Sequence, residues 1–137
     1  MSQAVVDASL CGAWILPDEA SPRAEKILAG IAQGSLELVV PALWHYEMVN
    51  LLRSALRRKR IGPDDARAAV DALALVPVVH EDIPEASARR RILYLAGQFD
   101  LSAYDAAYLE LADRFKIPLH SADGKLVAAA TRLGLLS

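Results

Sequence analysis

The chain has 137 residues, with 15 basic and 17 acidic side chains and a formal charge of −2, so any affinity for nucleic acid must come from a local patch rather than from a protein-wide positive field. A length of this order fits one domain, residues 1–137, around one core. No apolar stretch approaches the ~20 residues that span a bilayer, the opening MSQAVVDAS lacks the segments of a secretory leader, and Cys11 as the single cysteine excludes an intrachain disulfide and a thiolate zinc cluster. A cytoplasmic location without membrane contact is expected.

The valine-rich stretch at 3–6 reads as a first buried strand, and residues 8–16 as a short helix stopped by Pro17. SPRAEKILAGIAQG follows, with Ser21 as a cap, Pro22 at the first helical position and Gly34 as a stop. A second strand is expected at 37–40. ALWHYEMVNLLRSALRRKR then forms a long helix ending near Gly62. At about 100° per residue, Trp44, Met48, Leu51, Leu52 and Ala55 make its apolar face, with Glu47, Asn50, Ser54 and Arg58 along the polar border. A helix in PDDARAAVDALAL, a strand at 76–79, helices in IPEASARRRILYLAGQF and SAYDAAYLELADRF, a strand at 117–120 and a helix in DGKLVAAATRLG complete the chain. Strands alternating with helices imply parallel pairing, hence an α/β protein with a small parallel sheet flanked by helices on both faces.

Four acids stand out in this arrangement. Asp7 follows the first strand, Asp123 follows the last, Asp105 opens a helix and Glu47 lies within one. In open parallel sheets, side chains at the carboxyl ends of the strands converge. Converging acids repel, and at least one should have a raised pKa unless a cation neutralises them. Each also has an ordinary reading. Asp7 and Asp123 suit helix N-caps, Ser102-x-x-Asp105 matches a capping box, and Glu47 suits an exposed helix border. Carboxylates without a thiolate or a histidine cluster favour a hard ion such as Mg²⁺ over zinc.

Taken together, VVDAS, PALWHYEMVNLLRSALRR and LSAYDAAYLELADRFKIPLHSAD resemble the PIN domain, and more narrowly the ribonuclease toxins of VapBC toxin–antitoxin pairs. The resemblance runs from Val5 to about Leu135. Its most specific parts are the Glu47-x-x-Asn50 step and the segment around Asp105. It implies a metal-dependent endoribonuclease with Asp7, Glu47, Asp105 and Asp123 as catalytic acids. Asp7, Asp105 and Asp123 would hold Mg²⁺ or Mn²⁺, and Glu47 would complete the shell or orient the attacking water. Ser9, Asn50 and Ser121 are the supporting polar residues, Ser121 standing where a threonine is commoner. One or two ions remain open. The resemblance also implies an RNA substrate, a VapB-type antitoxin whose C-terminal segment covers the site, and a homodimer.

Arg53, Arg57, Arg58, Lys59 and Arg60 cluster at the end of the Glu47 helix. Arg57 and Arg58 continue the Glu47–Asn50–Ser54 stripe and are candidate phosphate contacts, although cations there also complement the helix dipole. Trp14, Leu16, Ile27 and Leu28 suit either a self-association face or core packing. Three other classes compete: a non-catalytic RNA- or protein-binding module on the same fold, a receiver-like phosphoacceptor domain whose lysine pattern the LHSADGK segment lacks, and a haloacid-dehalogenase-like phosphatase. The last normally needs a second aspartate where this chain has Ser9.

Overall fold

The computed structural model describes residues 1–136. Four strands, β1 (Ser2–Val6), β2 (Leu36–Pro41), β3 (Val78–Glu81) and β4 (Leu119–His120), form one sheet in the order β3-β2-β1-β4. Every pairing is parallel, with Val5 opposite Val39 and Leu119, and Val39 opposite Val79. The α/β class expected from the strand–helix alternation is therefore observed. The connecting helices are α1 (Ala8–Cys11), α2 (Pro22–Ala32), α3 (Leu43–Arg57), α4 (Pro63–Leu73), α5 (Ala86–Phe99), α6 (Ala103–Phe115) and α7 (Gly124–Arg132).

The strands differ from expectation where the sheet has edges. The segment expected at 76–79 pairs at Val78–Glu81 instead and is largely uncovered, because β3 borders the sheet. The 117–120 segment contributes only Leu119 and His120. Pro118 has no N–H for a ladder, yet its carbonyl accepts from Val5 N at 2.8 Å, and Leu119 N donates to Leu135 O at 2.7 Å. The helix expected at 8–16 is one α-turn to Cys11, followed by a 3₁₀ turn over Gly12–Trp14.

Local rules placed most helix starts correctly. Asp7, Ser21, Ser102 and Asp123 each cap a helix, accepting backbone N–H groups that have no helical partner. The central helix is α6, which lies across β1 and β2 and against α5 and α7. Its run Tyr108–Ala112 is almost wholly buried, and each large apolar side chain so enclosed contributes about 1.5–3 kcal/mol. Cys11 is fully buried, with its thiol beside the Val6 carbonyl and the Trp44 indole; burial pushes its pKa up to about 12. It is a core residue. Trp14, Leu16 and Ile27 also pack into the interior, Trp14 donating Nε1–H to Ala24 O at 2.8 Å. Leu16 and Ile27 are buried, whereas Trp14 and Leu28 stay half-buried.

The strand order fixes where a site must lie. From β1 the chain steps outward through β2 to β3, then returns to place β4 on the other side of β1. The strand order therefore reverses between β1 and β4, the place where a crevice opens at the carboxyl ends of a parallel sheet. Asp7 and Ser121 are the residues that follow those two ends.

Candidate active site

Asp7 is 4% exposed, yet among the described residues no cation touches it. Its Oδ1 accepts from Ser9 Oγ at 2.7 Å and Leu10 N at 3.3 Å, and its Oδ2 accepts from Ser121 Oγ at 2.7 Å. Ser121 Oγ in turn accepts from Asp123 N at 2.9 Å, and Ser9 Oγ from Ala122 N at 3.0 Å. The two hydroxyls thus tie the β1 end to the β4 end through the carboxylate. Burial first, with the Asp105 charge adding, pushes the Asp7 carboxyl above its ordinary range; the hydroxyl and amide donors pull the other way.

Asp105 stands one turn into α6. Its backbone N–H donates to Ser102 Oγ at 3.1 Å, half of a capping box. The other half is missing: among the described residues its carboxylate accepts no hydrogen bond from the protein. Burial and the nearby Asp123 raise its pKa. Glu47, on the α3 border, accepts from Tyr108 OH at 2.5 Å. Its pKa is raised by burial first, then by the charges of Asp7 and Asp105, against the lowering effect of the tyrosine bond. The mutual repulsion expected from the sequence is present, but loss of solvation is the larger cause in all three.

The structure therefore brings Asp7, Glu47 and Asp105 into one electrostatic neighbourhood, although they come from β1, α3 and α6. Asp123 joins it through Asp105 and through the Ser121 hydroxyl. It is exposed, and its carboxylate caps α7 by accepting from Lys125 N at 2.9 Å. Asn50 lies one turn beyond Glu47, and the two line a groove of about 380 Å³ with Leu43, Tyr46 and Tyr104. In the basic cluster, Arg60 is committed to Asp18 and Glu19. Arg53, Arg57, Arg58 and Lys59 pair with no acid among the described residues.

The donor set suits a hard divalent cation, since the crevice offers carboxylate and hydroxyl oxygens and, among the described residues, no positive charge pairs with Asp7, Glu47 or Asp105. Among the described residues, no three Asp, Glu, His or Cys side chains already surround a single point. Mg²⁺ keeps several waters, so these positions suit one or two direct carboxylates with the remainder reaching through water. Asp105 is the acid with lone pairs least engaged.

Two residues went unnoticed in the sequence. Tyr108 is 1% exposed and fixes Glu47. The available signal was its position three residues after Asp105, on the same helical face, combined with the need of a buried tyrosine for a hydrogen-bond partner. Arg23 touches Ser121 across 98 positions of sequence, and no local pattern announces such a contact.

A parallel sheet in this order, with acids gathered at the β1/β4 crevice, defines an acid-centred α/β site. The chain belongs to the PIN domain family, whose model matches residues 4–131. Among solved structures it is similar to PAE2754 from Pyrobaculum aerophilum, with a TM-score of 0.66, 23% identity, and 97% of this chain and 97% of that chain covered. It is also similar to VapC20 of Mycobacterium tuberculosis, described as a sarcin–ricin loop cleaving toxin, with a TM-score of 0.68, 21% identity, and 92% of this chain and 94% of that chain covered. No curated protein sequence matches the chain. No described helix is long and apolar enough to cross a membrane.

Proposed function

We propose that this chain is a divalent-metal-dependent endoribonuclease that hydrolyses RNA phosphodiester bonds and acts as the toxin of a VapBC-type pair. One observation carries the reading: three partly or fully buried carboxylates, Asp7, Glu47 and Asp105, face one another's charge with no cation among the described residues to offset it. Such an arrangement is costly unless a cation joins it. Membership of the PIN domain family and the likeness in fold to a solved toxin support the same reading.

Asp105 and Asp7 are the proposed ligands, with Asp123 and Glu47 reaching the ion directly or through water. A bound Mg²⁺ or Mn²⁺ supplies charge neutralisation at the scissile phosphate and makes water a better nucleophile. The protein does the rest. The Tyr108 hydroxyl pins one Glu47 oxygen and leaves the other to orient the attacking water and accept its proton. A carboxyl with a raised pKa is better matched to that task near neutral pH. Ser9 and Ser121 hold the Asp7 carboxylate so that it keeps its orientation, and Asn50 is placed beside Glu47 to meet substrate. Arg57 and Arg58, both exposed on the side of α3 that carries Asn50, would guide RNA phosphates.

The test is cleavage of RNA by nuclease-free protein with Mg²⁺ or Mn²⁺ and with EDTA. Metal-dependent cleavage that disappears in Asp105→Asn is the expected result. Binding of RNA without cleavage under either metal would instead favour a non-catalytic binding module.

As a toxin the protein would have a small antitoxin partner, and the groove beside Glu47 with its exposed Tyr46 and Tyr104 suits an apolar segment of that partner. A homodimer is part of the same proposal. Sizing across a range of concentrations tests it, and a monomer at high micromolar protein would count against it.

A further inference from the structure

One cation stands against the acid crevice with no acid of its own. Arg23, in the first turn of α2, reaches the carboxyl end of β4, where its Nη1 donates to the Ser121 carbonyl at 3.2 Å and its Nη2 lies 2.9 Å from His120 Nδ1. A guanidinium has only donors, so the ring nitrogen accepts and the imidazole is neutral with its proton on Nε2. Burial, then the guanidinium charge, holds His120 below its ordinary pKa, in agreement with that tautomer. Two of five N–H donors are thereby used. Arg60, Arg67, Arg91 and Arg114 each face a carboxylate, whereas Arg23 pairs with none among the described residues. Lys26, one turn further along α2, is likewise unpaired and exposed. The three side chains line a cleft of about 310 Å³ with Ile27 and Leu36. Ser121 joins this cleft to the acids, since its carbonyl holds Arg23 and its hydroxyl holds Asp7.

Neither the carbonyl nor the imidazole offsets the guanidinium charge; they fix its position and leave its remaining donors available. Fixed, unneutralised donors suit the paired oxygens of a phosphodiester. They also answer a physical difficulty of the site, because a cluster of carboxylates repels the polyanion it must process unless cations stand at its rim. The exposed arginines of α3 lie on the Glu47 side of the acids. Arg23 and Lys26 lie on the β4 side.

We propose that the cleft formed by Arg23, Lys26 and His120 is a phosphate subsite that holds a non-scissile backbone phosphate of the RNA on the β4 side of the acids. The proposal rests on the ribonuclease reading and adds the path of the substrate.

The test is a salt titration of the binding of a single-stranded RNA oligonucleotide in EDTA, between about 50 and 200 mM salt. Arg23→Ala and Lys26→Ala should each flatten the plot of log K against log salt by about 0.7. Arg90→Ala, which removes an exposed cation on α5, should leave it unchanged. With metal present, both site variants should raise KM while kcat holds. Arg23→Lys, which keeps the charge, should retain most of the slope. Lys26 makes no hydrogen bond or ion pair among the described residues, so its variant remains informative even if Arg23→Ala fails to fold. An unchanged slope in both site variants overturns the subsite, as does an equal loss in Arg90→Ala. Slope changes as expected without any cleavage would sink the ribonuclease reading and leave the subsite standing, whereas failure of the wild-type protein to bind RNA overturns both.

Discussion

Two buried carboxylates in this molecule have the same exposure and opposite surroundings. Glu110, 4% exposed on α6, is gripped by Arg114, with Nε to Oε2 at 2.8 Å and Nη2 to Oε1 at 3.0 Å, and the same arginine continues to Glu81 on the edge strand β3. Asp7, also 4% exposed, has two hydroxyls and an amide but no cation. The first site carries its own counter-charge and fastens an edge strand to the central helix. The second leaves its charge unanswered, and two further raised-pKa acids stand close enough to sharpen the deficit. Burial of an acid is thus not in itself a mark of chemistry. A missing counter-ion beside it is.

Exchanging one charge at each place should separate the two roles. Asp105→Asn removes the acid whose oxygens are least engaged. Metal-dependent cleavage should fall by more than about 100-fold, the upper range for loss of a group that merely supports a metal ligand, with Tm near that of the wild type. Unaltered activity in nuclease-free protein would remove Asp105 from the site. Arg114→Ala should do the reverse. It leaves Glu110 buried without a partner, costing about 2–3 kcal/mol once partial exposure of the arginine is allowed for, read by denaturant unfolding, and leaves the metal dependence of cleavage intact.

Metal should stabilise only the acid crevice, by about 2.7 kcal/mol at a concentration a hundred times Kd. The sign with pH follows from the raised pKa values of Asp7, Glu47 and Asp105. Where the unfolded carboxyls have already lost protons, near pH 4 and above, the folded protein still holds them. Metal-free stability therefore falls as pH rises through the unfolded values to the folded ones. Mg²⁺ should accordingly raise Tm more at pH 7 than at pH 4, and calorimetry showing equal shifts would contradict the assignment.

Ser121→Ala deprives the Asp7 carboxylate of a donor and Asp123 N of an acceptor, at a cost of about 1–3 kcal/mol. Ser121→Thr, which keeps the hydroxyl, should restore stability and activity, and failure of that rescue would argue against the hydroxyl as the cause. Asp123→Asn should change stability least, by under about 0.5 kcal/mol, because asparagine caps a helix as well as aspartate does. A loss of cleavage in this variant would then report the charge rather than the cap.

Cap chemistry in the chain predicted helix starts at Ser21, Ser102 and Asp123, and the 3.6-residue period gave the buried face of α3 through Trp44, Met48, Leu52 and Ala55. Both are local properties, fixed within one or two turns of backbone. The edges of the sheet were read less well: β3 begins two residues later than its valines suggest and β4 is only two residues long, because pairing partners rather than composition decide where a strand stops. The choice between cap and site also lay beyond local reading. Asp7 turns out to be a cap with a crowded, cation-free carboxylate, whereas Asp105 leaves its capping box half closed.

By itself, then, the sequence determined which residues carry acid, where helices begin and that the strands run parallel, since each of these follows from neighbours in the chain. Only the tertiary structure decided which acids share a field, that Tyr108 holds Glu47 and that Arg23 reaches Ser121. Electrostatic coupling and hydrogen bonding depend on distance through space, and the 3-2-1-4 strand order that sets those distances is a property of the whole packed chain.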